Sequence, residues 1–295
     1  MTDIMKYKVF YFVFSLLIIL PGLYFLMTSG LKLGIDFTGG SLLEYRFEKS
    51  INTEDLKQVI EKDGVEVSQV TSSGENTYII RAKPIEQDKI NQLKTNLTEE
   101  YGKIEERRIE NVGPLIGNEL RQKAILALSV ASLVIVLYIT YSFRKVPKPL
   151  SSWRFGVAAV LALIHDVLVV VGVFAILGRF LGVEIDTLFV TALLTVIGFS
   201  VHDTIVVFDR IRENLIKNMG KKFIEVANLS VIQTLGRSLN TSLTVVFVLT
   251  ALLLFGGETT KWFIVALLVG IISGTYSSIF NATALLVWWE EKLGH

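Results

Sequence analysis

The sequence contains no cysteine among its 295 residues. Disulfides, thiol nucleophiles and cysteine-ligated metal sites are therefore excluded, although the compartment stays open. Charged residues make up only 19% of the chain and the net charge is +1, so no overall field attracts nucleic acid. Neither a GxxxxGK(S/T) phosphate loop nor a dinucleotide fingerprint occurs, which excludes ATP hydrolysis by that route. We expect no cofactor, no metal and no enzymatic activity.

Apolar residues dominate instead, at 51% of the chain with a mean hydropathy of +0.53. A helix that crosses a bilayer needs about 20 mostly apolar residues. Six windows meet that requirement: Val9 to Met27, Ala124 to Tyr141, Gly156 to Leu177, Thr187 to Phe208, Leu239 to Phe255, and Trp262 to Trp289. The first resembles a signal peptide, but its apolar stretch is too long and no small-residue cleavage site follows, so we expect an uncleaved anchor.

The lysines and arginines of the short connections indicate the orientation of these spans. Three segments carry most of them: Lys6 and Lys8 before span one; Arg144, Lys145, Lys148 and Arg154 between spans two and three; and Arg210, Arg212, Lys217, Lys221 and Lys222 between spans four and five. These segments alternate along the chain. Both termini are therefore predicted to be cytoplasmic, and the long segment between spans one and two is predicted to be external.

The long external segment is polar and shows both periods of regular structure. Successive patterns predict strand, helix, strand, strand, helix and strand: Ser41 to Phe47, Thr53 to Lys62, Val65 to Thr71, Thr77 to Lys83, Glu86 to Tyr101, and Lys103 to Glu110, with a turn from Ser73 through Glu75 to Asn76. This β-α-β-β-α-β order predicts a ferredoxin-like domain. We divide the chain into residues 1–29 (first span), 30–120 (external domain) and 121–295 (five-helix bundle).

The external domain offers no catalytic constellation, because it has no histidine and its acids are scattered over helix faces. A mechanical or peptide-binding role is favoured, since a sheet edge can accept an extended chain. A passive structural cap remains the alternative.

Ionisable residues inside the apolar spans are the candidate functional residues. Span three contains His165 and Asp166, span four contains His202 and Asp203, and span five begins near Arg237. At 1.5 Å per residue, Asp166 lies about 15 Å and Asp203 about 8 Å from the cytoplasmic end of its span, too deep for a short carboxylate to reach water. An Asp203–Arg237 pair can act as a proton switch, because protonation of the aspartate removes the attraction.

Other interpretations of these residues stay open. The two His-Asp pairs can satisfy each other and fix the packing, or bind a metal, although neighbouring helical residues point about 100° apart and chelate poorly. For Asp166 the structural and proton-handling interpretations are nearly balanced. Asp209 and Arg210 fall at the water boundary and are expected to anchor the helix end.

Small and amphipathic residues predict contacts within the membrane bundle. Gly270 and Gly274 form a GxxxG pattern in span six, and Gly198 with Ser200 can serve the same close packing beside the span-four aspartate. Residues 214–235 have apolar residues near helical spacing, which predicts a cytoplasmic amphipathic helix at the membrane interface.

Three motifs resemble those of the SecF family, within the resistance-nodulation-division superfamily. Gly34 to Gly40 reads GIDFTGG directly after span one, Gly198 to Asn214 is similar to the span-four motif, and Ala162 to Asp166 is similar to the span-three motif. The order of one span, a ferredoxin-like domain and five spans is also SecF-like. Inside the first motif, Gly34, Gly39 and Gly40 are expected to shape a turn, and Asp36 to cap it, rather than to catalyse.

The resemblance implies an accessory subunit of the Sec translocase in the bacterial inner membrane, which uses the proton gradient to drive late steps of protein export. It implies SecD, the SecYEG channel and exported polypeptides as partners, with YajC as a further one. It also implies Asp203 and Arg237 as proton-relay positions, to which we add His202, Asp166 and His165. His202 departs from the family pattern, since many members have asparagine there.

Two rival functions remain at this stage. A small-molecule or lipid efflux transporter of the same superfamily predicts a substrate cleft between external domains, but the single compact external domain disfavours it. A purely structural scaffold predicts that neutralising Asp203 and Arg237 changes only stability.

Overall fold

The structure is a computed structural model that describes residues 3–74, 76–144 and 151–292. Glu75 of the predicted turn, and Lys145 and Lys148 of the predicted cytoplasmic loop, lie outside the described residues. The chain divides into two compact units, one of residues 1–32 with 126–295 and the other of residues 33–125.

The unit of residues 33–125 contains one antiparallel sheet and two longer helices. Its elements are α2 (Ile35–Thr38), β1 (Gly40–Phe47), α3 (Thr53–Lys62), β2 (Val67–Ser72), β3 (Thr77–Ala82), α4 (Gln87–Tyr101) and β4 (Ile104–Val112). The strand order is β2-β3-β1-β4, and every neighbouring pair is antiparallel. This is the ferredoxin-like arrangement, so the predicted β-α-β-β-α-β fold is confirmed.

Alternation and capping account for these elements. In β3, Tyr78, Ile80 and Ala82 are buried while the residues between them are partly exposed, as expected for a strand with one face on a core. α3 begins after Asn52, whose side chain accepts a hydrogen bond of 2.8 Å from the backbone N–H of Glu54. The resulting core is apolar, and includes Leu43, Phe47, Leu56, Ile60, Ile80, Ile90, Leu93 and Leu97.

The other unit contains helices long and apolar enough to cross a membrane. The described residues give α1 (Lys8–Ser29), α5 (Pro114–Ser142), α6 (Ser152–Leu181), α7 (Thr187–Lys217), α8 (Phe223–Phe255), and a last span formed by α9 (Glu258–Tyr276), a π-helical segment (Ser277–Asn281) and α10 (Ala282–Lys292). α5 begins within the other unit. The six predicted spans are confirmed, and the protein is a multi-pass membrane protein.

The predicted interfacial helix at residues 214–235 is wrong. Its first residues complete α7, and from Phe223 onward the segment forms the beginning of α8, which continues without interruption to Phe255. The apolar residues that suggested an interfacial face, such as Val226, Ala227 and Val231, are buried in the bundle. Helical spacing alone does not distinguish a helix that lies on a membrane from the buried end of a spanning helix.

The bundle packs around α6, α7 and the last span, and glycines bring some helices close together. A Cβ on Gly22 of α1 would stand 2.6 Å from the Cα of Gly172 on α6, so these backbones touch. Gly270 and Gly274 of α9 face Val196 and Ser200 of α7, in line with the predicted close packing. Gly198 is different, because a Cβ there would meet nothing within 4 Å, and its predicted packing role is wrong.

Candidate functional site: buried carboxylates in the membrane bundle

α7 carries Asp203 on its buried face. Ser200, Asp203, Thr204 and Val207 are all buried, at the i, i+3, i+4 and i+7 spacing of one helical stripe. Only 2% of Asp203 is exposed. Its carboxylate therefore belongs to the interior of the bundle rather than to lipid.

The partners of Asp203 are mostly hydroxyls. The carboxylate lies beside the side chains of Ser242 on α8 and Thr275 on α9, whose oxygens are themselves 2.6 Å apart. His202 Nδ1 is 3.8 Å from Asp203 Oδ1, too far for a strong hydrogen bond. Asp203 Oδ2 is buried and has no hydrogen-bond partner among the residues that the structure describes. One oxygen of this carboxylate is thus available for a proton or a water molecule.

Asp166 on α6 is a second buried carboxylate, with a fuller set of partners. It is fully buried. His165 Nδ1 lies 2.9 Å from Asp166 Oδ1, Ser273 on α9 donates to the same oxygen at 3.4 Å, and Ser200 on α7 donates a short hydrogen bond to Oδ2. Three helices therefore meet at this side chain.

A chain of hydroxyls connects the surroundings of the two carboxylates. Ser278 donates to the backbone carbonyl of Ser200 at 2.9 Å, and Thr204 donates to the Ser278 hydroxyl at 2.8 Å. Ser278 belongs to the π-helical segment that interrupts the last span. Such segments often occur at functional sites, since they change the direction of the side chains that follow. Ser200 therefore joins the Asp166 carboxylate to the helical turn that carries Asp203.

Arg237 does not pair with Asp203 in this structure, so the expected ion pair is corrected. The residue of α8 at the level of Asp203 is Ser242, five positions farther along the helix, which corresponds to about 7.5 Å. Arg237 is exposed, and its side chain makes no ion pair within the described ranges. The error came from measuring depth from the predicted start of span five, whereas α8 begins much earlier.

Arg237 instead lines a cavity of 320 Å³ toward the α7 C-terminus. The cavity is lined by Ile205, Val206, Asp209, Arg210 and Glu213 of α7 and by Gln233, Thr234 and Arg237 of α8. The charged lining residues of α7 are already paired on that helix, since Arg210 pairs with Glu213 at 2.6 Å and Asp209 pairs with Arg212 at 2.6 Å. Both Asp209 and Arg210 thus belong to a surface network near the helix end.

The two histidines have unlike environments. His165 is buried, and its Nε2 lacks a hydrogen-bond partner in the described part of the chain. The side chain of His202 is 68% exposed and points away from the hydroxyl cluster. In those same parts of the chain, no group of three or more histidine, aspartate or glutamate side chains is arranged to hold a metal.

The GIDFTGG motif belongs to the other unit, where it forms the short helix α2 and the entry to β1. Gly39 has φ +74°, and a Cβ there would stand 2.8 Å from the Cα of Pro114. Gly40 has φ +145°, and a Cβ would stand 2.9 Å from the carbonyl oxygen of Ala82. Glycine is required at both positions. Gly34 precedes α2, and its carbonyl accepts the N–H of Phe37, while Asp36 lies in the first turn.

Sequence reasoning missed the hydroxyl-bearing residues that surround the carboxylates. Ser200 was considered only for packing, and Ser242, Thr275 and Ser278 were not singled out for the site. A signal was available, because α8 carries hydroxyls at strict i+4 spacing: Ser230, Thr234, Ser238 and Ser242. In an apolar span, such a row indicates a polar helix face.

Comparison with known proteins matches this architecture to one family. The family model described as "Protein export membrane protein SecD/SecF, C-terminal" matches residues 92–292, and the "SecD/SecF GG Motif" model matches residues 24–51. A Protein translocase subunit SecF of Thermobaculum terrenum is 49% identical over 99% of this chain and 95% of its own length. The SecF subunit of Vibrio alginolyticus is 40% identical over 98% of this chain and 89% of its own.

Solved structures agree in fold. The crystal structure of SecDF from Thermus thermophilus, a translocon-associated membrane protein, matches with a TM-score of 0.86 and 34% identity, over 97% of this chain and 38% of that chain. The present chain thus spans little more than a third of SecDF. The similarity extends over both units and all six spans, and the chain belongs to the SecD/SecF family of protein-export membrane proteins.

Proposed function

We propose that this chain is a SecF-type accessory subunit of a Sec protein translocase, in which proton transfer at Asp203 is coupled to the export of polypeptides. The proposal rests on family membership and on one observation, the buried Asp203 carboxylate with an unpartnered oxygen inside a membrane-spanning helix. Ionisable groups at such depth cost free energy to desolvate, and they occur chiefly at functional sites. The relatives are named as translocase subunits, which favours export over the efflux alternative.

Protonation changes what the Asp203 carboxylate can bind. The ionised carboxylate is only an acceptor, so it can draw hydrogen bonds from the neighbouring hydroxyls of Ser242 and Thr275 and attracts a cation, whereas the neutral acid donates one hydrogen bond and attracts none. Arg237 lies about 7.5 Å away along α8, within the range that a long flexible side chain covers by changing rotamer. A proton can therefore decide whether the guanidinium turns toward α7, and so bias the packing of α7 against α8.

A polar stripe on α8 supports a partner inside the membrane. Arg237, Asn240, Thr241 and Thr244 follow the i, i+3, i+4 and i+7 spacing of one helix face, and all are exposed on this chain. Lipid solvates such groups poorly, so this face requires protein or water against it. A SecD-type subunit is the partner that we assign to it, because SecDF carries a chain similar to this one as 38% of a longer polypeptide.

The remaining partners follow from the same proposal. We assign the SecYEG channel, YajC and exported polypeptides as translocase partners, with the complex in the bacterial inner membrane and both termini of this chain in the cytoplasm. The cations of the described inner connections, such as Arg154 and Lys217, fit that orientation. His202, Asp166 and His165 are proposed to assist the relay, and no enzymatic step is assigned.

The test compares two aspartate-to-asparagine variants of one helix. Asp203→Asn keeps the shape of the side chain but cannot release a carboxyl proton, and it is expected to abolish the stimulation of export by a proton gradient while leaving assembly intact. Asp209→Asn, six residues further along α7 and exposed, is expected to retain most of that stimulation. The measurement is release of a secreted substrate from membrane vesicles with and without a gradient. Gradient-stimulated export by Asp203→Asn would overturn the proposal in favour of a scaffold.

A further inference from the structure

A row of buried hydroxyls runs along α8 toward Asp203. Ser230, Thr234, Ser238 and Ser242 are all buried and recur every fourth residue, so they share one face over about 18 Å of helix. The two helices run antiparallel, and two contacts fix their register: Asn214 on α7 donates to Ser230 at 2.9 Å, while Asp203 lies beside Ser242. Going back eleven residues along α7, from Asn214 to Asp203, corresponds to going forward twelve along α8, from Ser230 to Ser242. The row of hydroxyls therefore lies alongside α7 from near its C-terminal end to Asp203.

Ser238 differs from the other members of this row. Ser230 donates to the carbonyl of Val226, Thr234 to that of Ser230, and Ser242 to that of Ser238. The Ser238 hydroxyl is 99% buried yet has no hydrogen-bond partner in the described residues. A buried polar atom without a partner is costly, and such atoms are commonly satisfied by ordered water.

The cavity near the end of α7 lies next to Ser238. On α8 its lining reaches Thr234 and Arg237, the residue immediately before Ser238, and on α7 it reaches Ile205, two residues from Asp203. Its volume of 320 Å³ is enough for several water molecules. Ser238 is not itself a lining residue. Its buried hydroxyl stands about one helical turn from Ser242, between Thr234 of the cavity wall and the level of Asp203.

We propose that Ser238 relays protons between water in this cavity and Asp203. When the carboxylic acid releases its proton, a water molecule that bridges Asp203 Oδ2 and Ser238 accepts it and donates to the Ser238 oxygen, while the original Ser238 hydroxyl proton passes toward a cavity water. The products are a carboxylate, an unchanged serine and a hydronium ion, so charge and atoms balance. Thr234 is the next hydroxyl of the route, and Ser230 lies beyond the residues that line the cavity.

Several charged groups face this route and set its electrostatics. His202 lies beside Asp203 on the same helix, and Asp166 approaches from α6 through Ser200. The cavity wall supplies two acids and two bases: Asp209, Glu213, Arg210 and Arg237. The formal charges of these four residues cancel, and the two acids are held in ion pairs on α7, so neither sign dominates the cavity.

This inference rests on the proposed function, and its test measures proton transfer rather than export. The full chain is studied with its SecD-type partner in inverted membrane vesicles. Infrared difference spectra after a pH jump follow the carboxylic C=O band of Asp203, which is identified by its loss in Asp203→Asn. Ser238→Ala is expected to slow this band about a hundredfold, the low end of what a positioned proton-transfer group contributes, without changing its final amplitude.

Two variants keep the result specific. Ser238→Thr retains a hydroxyl and is expected to restore the wild-type rate. Ser230→Ala removes a buried hydroxyl outside the route and is expected to leave the rate of this band unchanged, although it also removes the hydrogen bond from Asn214. A wild-type rate in Ser238→Ala, or equal slowing by Ser230→Ala, overturns the relay alone, while export that depends on Asp203 keeps the proposed function. If no Asp203 band appears in the wild-type protein, both proposals fail.

Discussion

The unit of residues 33–125, called the external unit because it holds the sheet that lies outside the spanning helices, and the membrane unit of residues 1–32 with 126–295 use their buried positions in opposite ways. The core of the external unit is built from aliphatic and aromatic residues such as Leu43 and Ile80, and its charged residues lie largely on the surface. The membrane unit exposes large apolar residues such as Leu17 and Phe247, and it buries Asp166 and other polar side chains. The two units of one chain thus bury different kinds of residue, because one unit is surrounded by water and the other by lipid.

The contrast shows where to look for function in each unit. In water, apolar burial drives folding, so an apolar core needs no further explanation. In lipid an apolar residue loses little by remaining exposed, and helices associate through close packing and polar contacts. A buried polar residue in the membrane unit therefore either holds helices together or has a functional role. Asp203, which has one carboxylate oxygen without a hydrogen-bond partner, is the strongest candidate for a functional role.

The largest expected effect comes from placing a membrane-type residue in the external core. Ile80→Asp puts a carboxylate at a fully buried position of β3 that has no hydroxyl cluster around it. We expect a loss of at least about 4 kcal/mol of stability, enough to unfold this small unit. Urea unfolding of residues 33–125, followed by circular dichroism, measures the loss.

Thr77→Asp is the matched control, because it places the same charge on the outer face of the same strand, opposite Arg46. This variant is expected to stay within about 1 kcal/mol of the wild type. If Ile80→Asp unfolds no more readily than Thr77→Asp, the external core tolerates buried charge and the contrast between the units disappears.

The next effect tests close packing within the membrane unit. Gly172→Ala inserts a methyl group where the backbones of α1 and α6 touch, and we expect a loss of about 3 kcal/mol, seen as a fall of several degrees in the thermal unfolding temperature in detergent. Gly198→Ala meets open space and is expected to have no such cost, since alanine also favours the helix. Equal melting temperatures for the two variants would show that this contact does not hold the helices together.

Much of the fold could be predicted from the sequence, because its signals are local. Hydropathy identified six spans, and period-two alternation with turn residues identified the sheet, with α3 predicted from Thr53 to Lys62 as observed. The failure at residues 214–235 concerns a boundary between water and lipid. An apolar helical face is compatible with either side of that boundary, and only the packing of Val226 and Val231 decides it.

The site could be predicted in part. The cost of ionisable groups in lipid singled out Asp166 and Asp203, and both are buried within the bundle. Their partners depend on how antiparallel helices are aligned, which a single sequence does not specify. A difference of five residues on α8 placed Ser242, rather than Arg237, beside Asp203.

The smallest effect concerns Tyr45, a buried polar residue of the external unit for which we expect no functional role. It is fully buried on β1, and its hydroxyl has no hydrogen-bond partner in the described residues of the chain. Burial, with a smaller contribution from the nearby Glu106 carboxylate, raises the pKa of Tyr45 to about 12 from 10.0. The folded unit therefore holds this proton more tightly than the unfolded chain does.

The sign of the resulting pH dependence follows directly. Below pH 10 both states are protonated and the contribution to stability is complete; between pH 10 and 12 the unfolded chain loses the proton first, so stability falls as the pH rises. At pH 11 the loss is about 1.4 kcal/mol, one pKa unit's worth. Tyr45→Phe is expected to be at least as stable as the wild type at pH 8 and to lack this loss, because it removes a buried hydroxyl that makes no hydrogen bond. Urea unfolding of residues 33–125 at pH 8 and pH 11 measures the two stabilities. An equal loss of stability at pH 11 in both proteins would contradict the assignment of this loss to Tyr45. A large loss of stability for Tyr45→Phe at pH 8 would mean that the hydroxyl has a hydrogen-bond partner, as most buried hydroxyls of the membrane unit do.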